Sequence, residues 1–102
     1  MTVIFDAIEI AKGDSVAVLL SEAAAGQKLL AKGPGGDHEV IAVTDIPGGH
    51  KLALKDMPAG AEVIKYGQVI GRATTDIKTG EHVHIHNVEG IRGRGDRQQF
   101  SK

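Results

Sequence analysis

The sequence predicts a single, mostly β domain of short strands and glycine turns. The chain of 102 residues contains 14 glycines, no tryptophan, one tyrosine and two phenylalanines, so its modest core must be aliphatic. The apolar residues fall in short runs rich in Val, Ile and Leu that are bounded by Gly, Pro and Asp, which is typical of strands. The one helix candidate spans residues 20–31, and Gly26 in its middle costs about 1 kcal/mol relative to alanine.

One pattern occurs three times along the chain. An acidic residue, an aliphatic, two variable positions, a glycine, two further residues and a valine occur at residues 9–16, 56–63 and 76–83. Each copy predicts a turn, with its glycine at positive φ, followed by a strand that begins at the valine. The strands expected from these copies are residues 16–20, 63–64 and 83–85. The irregular spacing of the copies argues against a solenoid.

The remaining strand candidates and loops fill the space between these copies. The strand candidates are residues 27–31, 39–43, 51–54 and 69–74. Residues 33–37 and 45–49 combine Gly, Pro and Asp and predict loops. Residues 92–102 are rich in arginine and predict a flexible basic tail, which places the folded domain at residues 1–91.

Composition excludes several classes of function. A net charge of −1 argues against a nucleic-acid binder, which needs a basic surface. The absence of cysteine excludes disulfides, thiolate metal sites and a cysteine nucleophile. No stretch approaches the roughly 20 apolar residues of a membrane span, and no leader-like segment begins the chain. We therefore expect a cytoplasmic protein that binds neither nucleic acid nor membrane.

Three of the five histidines lie close together near the end of the predicted domain. His82, His84 and His86 alternate with Val83 and Ile85. If the run is extended, the two aliphatic side chains face the core and the three imidazoles share the other face. Such a row of nitrogens suits a metal, an anionic substrate or proton transfer. The same pattern also suits a solvated strand face without a ligand, and the spacing leaves both interpretations open.

Three segments carry a resemblance to a known family. These are Gly-His-Lys-Leu-Ala-Leu at 49–54, Ile-Lys-Tyr-Gly-Gln-Val-Ile-Gly-Arg-Ala at 64–73 and Gly-Glu-His-Val-His-Ile-His-Asn at 80–87. From about residue 5 to residue 88 the chain resembles the N-terminal domain of the altronate and galactarate dehydratase family, which includes the small subunit of sulfolactate sulfo-lyase. The resemblance implies a small β-clip domain of the SAF type, also seen in the antifreeze-like domain of sialic acid synthases.

The resemblance also implies a function. We expect a lyase subunit, inactive alone, that acts by β-elimination of water from a sugar acid or related hydroxy acid together with a separate large catalytic subunit. Two alternatives are a sulfolactate sulfo-lyase small subunit, which would release sulfite, and a non-catalytic binding or structural module. The expected partners are the large chain and a small acidic substrate. An exposed strand edge would also favour homo-oligomers of the isolated chain.

Elimination next to a carboxylate needs a base, an electrophile for the developing enolate and help for the leaving group. The resemblance implies a divalent metal, iron(II) or manganese(II), shared with the partner subunit. The catalytic and metal-binding candidates are His84, His86 and His50. His82 is the weakest of the row, because rings about 7 Å apart on a straight strand cannot all reach one ion at ~2.1 Å.

Cations and hydroxyls elsewhere in these segments suit an acidic substrate. The substrate-binding candidates for a carboxylate or sulfonate are Lys51, Lys65, Tyr66 and Arg72. Asn87, next to the histidine row, is expected to orient a substrate hydroxyl or a metal ligand. The alternatives are that the two lysines are merely solvated and that Tyr66 fills a small core. His38 has no evident partner and is expected at the surface.

Overall fold

The computed structural model describes residues 5–90, and within them it contains nine short strands and no helix. The mostly β class is therefore confirmed. The strands are β1 (Ala7–Ile8), β2 (Val16–Leu19), β3 (Lys28–Lys32), β4 (His38–Ile41), β5 (Lys51–Ala53), β6 (Glu62–Lys65), β7 (Gln68–Ala73), β8 (His82–Val83) and β9 (Val88–Gly90). The helix candidate at 20–31 is a turn followed by β3. No helix that could cross a membrane occurs in the described part of the chain.

The strands form two sheets. The larger has the order β4-β3-β1-β2-β5-β8, and the smaller has the order β6-β7-β9. All pairs are antiparallel except β1 with β3. The pairing of β5 with β8 places Leu52 opposite His82. This pair brings the segment around residue 50 beside the histidine run.

Two aliphatic clusters form the core, and strands β2 and β5 contribute to both. Side chains alternate across a strand, so Ala17 and Leu52 pack into one cluster while Val16 and Ala53 pack into the other. The first cluster also contains Leu19, Leu29, Val40 and Ile46. The second also contains Met57, Val63, Ile77 and Val83. Val83, a member of the second cluster, lies within the histidine run, so this run is anchored to the core.

The repeated turns pair with one another. Isolated bridges join Met57 to Ile77 and Ala23 to Ile46. In the first pair the Asp56 carboxylate accepts a hydrogen bond from the Thr79 N–H at 2.8 Å, and the Asp76 carboxylate accepts one from the Ala59 N–H at 2.9 Å. The copies at 56–63 and 76–83 are thus structural partners. The turns at 22–26 and 45–49 form a similar pair that the sequence pattern did not include, because leucine replaces the final valine.

Gly80 lies close to the backbone of two other segments, residues 41–43 and Ala53. Its φ is +92°, as predicted for the glycine of the repeat. Its carbonyl accepts a hydrogen bond from Val43 N–H and its own N–H donates to the Ala53 carbonyl, both at 2.9 Å. A Cβ on this glycine would collide with the backbone oxygen of Ile41. Only glycine therefore allows this close approach. The predicted boundary at residues 91/92 and the tail lie outside the described residues.

Candidate functional site

The histidine run is a strand only at its start. Strand β8 ends at Val83, and residues 84–87 form a turn that leads into β9. Val83 is fully buried, as expected, but the side chain of Ile85 is 85% exposed. The prediction that Ile85 faces the core is therefore wrong, and the prediction of a strand at 83–85 fails for the same reason.

Asn87 closes this turn. Its side chain is buried, its Oδ1 accepts a hydrogen bond from the His84 N–H at 3.0 Å, and its Nδ2 donates to the His82 carbonyl at 2.8 Å. Its backbone N–H also donates to the His84 carbonyl at 3.1 Å. Asparagine side chains favour turns because they supply such local bonds. The amide expected to orient a substrate hydroxyl or a metal ligand thus shapes the backbone that carries the histidines.

The turn brings three imidazoles together. His50 Nδ1 lies 2.8 Å from His82 Nε2, and the ring of His84 stacks on that of His50 with centroids 4.2 Å apart. One nitrogen from each of His50, His82 and His84 lies within 4.8 Å of the others. We call these residues the histidine trio. All three are partly buried.

The trio differs from the set expected from the sequence. His50 and His84 belong to it, but His82 replaces His86. The turn at residue 84 removes the 7 Å spacing of a straight strand, and the rings of His82 and His84 are 5.5 Å apart. The ring of His86 lies next to the trio, 5.0 Å from that of His82. It is therefore placed to contact a molecule bound at the trio.

Burial and neighbouring positive charges disfavour protonation of two imidazoles of the trio. Burial lowers the pKa of His82, and His86, His50, His84 and Lys51 lower it further. Desolvation also lowers the pKa of His84, with additional repulsion from His50 and Lys51. Both rings are consequently neutral at pH 7 and keep a lone pair. Neutral imidazole is the form that binds transition metals.

The geometry fits a divalent ion. Two adjacent ligands at ~2.1 Å from one ion lie about 3 Å apart, and His50 Nδ1 and His82 Nε2 are 2.8 Å apart. Without a cation, one of these nitrogens must carry the proton that it donates to the other. A cation held by both rings would take the place of that proton. The residues present thus suit the metal that the family resemblance implies.

Two grooves flank the trio. One, of about 380 Å³, is lined by Val43, Thr44, Thr75, Asp76, Glu81, His82, His86 and Asn87. The other, of about 200 Å³, is lined by Lys51, Ile70, His84, Ile85, Val88 and Gly90. Burial lowers the pKa of Lys51, and repulsion from Lys65 lowers it further. Lys51 and His84 thus both line the smaller groove.

The other substrate candidates lie on the β6–β7 hairpin. Tyr66 is 55% exposed at the hairpin turn with φ +57°, so it does not fill a core. The Lys65 ammonium lies 4.6 Å from the centre of its ring. Arg72 contacts the Glu62 carboxylate at 4.0 Å and donates to the Gly60 carbonyl at 3.4 Å. It does not line either groove beside the trio.

Two buried carboxylates were missed from the sequence. Asp14 accepts hydrogen bonds from Tyr66 N–H at 3.0 Å and Gly67 N–H at 2.9 Å, and so holds the hairpin turn. Glu9 lies under the loop at 33–36, where it accepts from Gly35 N–H at 3.0 Å. The Nε2 of His38 is buried 3.7 Å from the Glu9 carboxylate, so His38 is only partly at the surface. The available signal for Glu9 was a single carboxylate inside the apolar run at residues 7–11, whereas Asp14, between Gly13 and Ser15, had no such signal.

Two small sheets of short strands, joined by turns with glycines at positive φ, define the class of this protein as a small, mostly β module. Residues 5–90 match the family model described as the altronate/galactarate dehydratase SAF domain, and the chain belongs to this family. The expected resemblance is thereby confirmed.

The relatives are lyases of two architectures. Altronate dehydratase of Escherichia coli K12 is 44% identical over 75 residues, which cover 72% of this chain and 14% of that protein. The (2R)-sulfolactate sulfo-lyase subunit alpha of Paracoccus pantotrophus is 51% identical over 51 residues, 50% of this chain and 76% of that subunit. Galactarate dehydratase (L-threo-forming) of Escherichia coli K12 is 37% identical over 76 residues, 74% of this chain and 14% of that protein. The chain thus spans only about a seventh of the length of these dehydratases.

Proposed function

We propose that this chain is the small subunit of a hydro-lyase that eliminates water from a sugar acid or related hydroxy acid. The observation that carries the proposal is the histidine trio, in which one nitrogen from each of three partly buried imidazoles lies within 4.8 Å of the others. The names of two relatives, altronate dehydratase and galactarate dehydratase, support the substrate class. The aligned segment is only 14% of each relative, and the proposal assigns the rest of the machinery to a larger partner chain.

His50, His82 and His84 would hold a divalent cation, iron(II) or manganese(II), shared with that larger chain. When bound, the ion supplies a positive charge that stabilises the developing enolate and polarises the leaving hydroxyl. The imidazole of His86 lies beside the trio without belonging to it. It is the residue of this chain best placed to hold or transfer a proton.

The cations of the chain orient the acid. Lys51 lines the same groove as His84, and Lys65 is close enough to Lys51 to lower the pKa of Lys51. Two neighbouring ammonium groups attract a carboxylate or sulfonate. The exposed hydroxyl of Tyr66 extends this surface. Asn87 acts through the turn that it closes. Arg72, which contacts the Glu62 carboxylate, provides a further cation for substrate or partner outside the two grooves.

A second candidate is the alpha subunit of a sulfolactate sulfo-lyase. The specific observation in its favour is the alignment, which is 51% identical and covers 76% of the Paracoccus subunit. The same trio and lysines would then serve an elimination in which sulfite leaves.

Co-expression with a large dehydratase-family chain from the same organism tests both candidates. The complex is assayed on altronate, galactarate and sulfolactate with Fe²⁺ or Mn²⁺. We expect turnover that requires both chains and falls about 100-fold or more in His82→Gln and His84→Gln. His38→Gln, which lies away from the trio, is the matched control and should retain activity. Turnover that is unchanged in the trio variants would identify a non-catalytic structural module.

A further inference from the structure

Ile85 is the most exposed of the large apolar side chains in the described residues, at 85%. It lies in the turn at residues 84–87, between two histidines of the candidate site. Asn87 fixes this turn through hydrogen bonds to His82 and His84. Ile85 therefore cannot fold inward without breaking these bonds, and it is presented to solvent on a firm support.

A single exposed aliphatic side chain is ordinary in itself. Its position makes this one informative. The trio supplies three ligands, and no carboxylate of the described residues joins it. A cation takes at least four ligands, so the trio leaves at least one position for water, substrate or a group of another chain. Because His84 and Ile85 line one groove, a protein chain that completes the site also covers Ile85.

We propose that the larger catalytic chain docks on the turn at residues 84–87, with Ile85 inserted into an apolar socket of that chain. This inference rests on the proposed function. Burial of Ile85 contributes binding energy and excludes water from the trio.

A second copy of this chain fits the same surface poorly. A two-fold contact at Ile85 would place equivalent patches face to face. Lys51, in the same groove as Ile85, and its neighbour Lys65 would then meet their own copies. The repulsion between these ammonium groups favours a different chain as the occupant.

The test measures the affinity of this chain for the large dehydratase-family chain of the same organism by surface plasmon resonance. The variant is Ile85→Ser. The matched control is Leu20→Ser, which removes another exposed aliphatic side chain, 54% accessible, from a different turn. We expect the dissociation constant to rise about tenfold or more for Ile85→Ser and to change little for Leu20→Ser. Cation binding by Ile85→Ser alone should equal that of the wild type, which shows that the variant is folded.

Three results would overturn the docking proposal: no complex with the large chain, equal affinity of Ile85→Ser and wild type, or a homodimer that Ile85→Ser dissolves. The function fails separately. Docking through Ile85 without turnover on any of the acids would leave the interface intact and refute the lyase role. Turnover that needs the histidine trio but tolerates Ile85→Ser would refute the interface and leave the lyase role intact.

Discussion

The Nδ1 atom of His50 lies 2.8 Å from the Nε2 atom of His82, although 32 positions separate the two residues in the chain. The antiparallel pairing of β5 with β8 produces this contact, because Leu52 stands opposite His82. His84 joins the pair by turning back over His50. The candidate site is thus made by sheet register and one turn together.

Replacement of Asn87 tests the role of the turn. Asn87→Ala leaves the His84 N–H and the His82 carbonyl without their side-chain partner, so we expect a loss of about 1–3 kcal/mol in the free energy of unfolding. Cation affinity should fall about tenfold, since the two histidines lose their fixed geometry. Urea unfolding and calorimetric titration with Mn²⁺ measure the two effects.

The control for this variant is Asp45→Ala, which removes the carboxylate that accepts from the Ala25 N–H at 2.9 Å and lies in another turn. It should lose stability and keep its cation affinity. If Asn87→Ala also kept full affinity, Asn87 would be a structural residue with no positioning role.

Replacement of Lys51 should change the titration of the histidines. The positive charge of Lys51 contributes to the lowered pKa of both His82 and His84, so Lys51→Met should raise the pKa of each. NMR titration of the imidazole C–H signals measures this directly. Lys28→Met, which removes an exposed lysine beside Glu39, is the control and should leave both values unchanged. Equal values in wild type and Lys51→Met would show that the ammonium does not act on the site.

Gly80 should be far less replaceable than Gly60. Both have positive φ, +92° and +90°, so alanine costs about 1–2 kcal/mol at either position. At Gly60 a Cβ would meet nothing within 4 Å, whereas at Gly80 it would meet the backbone oxygen of Ile41. We therefore expect Gly80→Ala to lose at least about 3 kcal/mol on urea unfolding. Similar losses for the two variants would mean that the backbone shifts to make room.

Asp14 should make stability depend on pH in the acid range. Burial opposes its ionisation, but hydrogen bonds from the N–H groups of Gly67, Ala11 and Tyr66 outweigh this and lower its pKa from 3.8. A carboxylate with a lowered pKa in the folded state stabilises the fold above its unfolded pKa, and this stability is lost as the pH falls through the folded value.

Asp14→Asn should therefore be less stable than the wild type by about 1.5–3 kcal/mol at pH 7. The difference should shrink as the pH falls below about 4. Urea unfolding of both proteins between pH 2 and 7 measures it. A constant difference across this range would show that the charge of Asp14 is unimportant.

The longer strands could be predicted from local pattern, because short runs rich in Val, Ile and Leu lie between turn residues such as Gly, Pro and Asp. Strand β7 was expected at 69–74 and runs from Gln68 to Ala73. Strands β1 and β9 were missed, since two or three residues such as Ala7–Ile8 show no alternation. Their pairing is set by tertiary contacts.

The site was predicted in its residue types and missed in its geometry. Val83 and Ile85 have strand propensity, and nothing local reveals that Asn87 reaches back to His82 and His84. That turn places His82 rather than His86 in the trio, and it exposes Ile85. The contact with His50 depends on the order of strands in a sheet, which local pattern does not specify.

The most direct test is a titration of the untagged chain with Co²⁺ at pH 7.5, followed by visible absorption and then by competition with Fe²⁺ or Mn²⁺. We expect one equivalent of Co²⁺ to bind, and the affinity to fall about tenfold or more in His50→Gln, His82→Gln and His84→Gln, while His86→Gln and His38→Gln bind as the wild type does. Absence of specific binding, or a loss in His86→Gln with none in His82→Gln, would contradict the histidine trio as the metal-binding group.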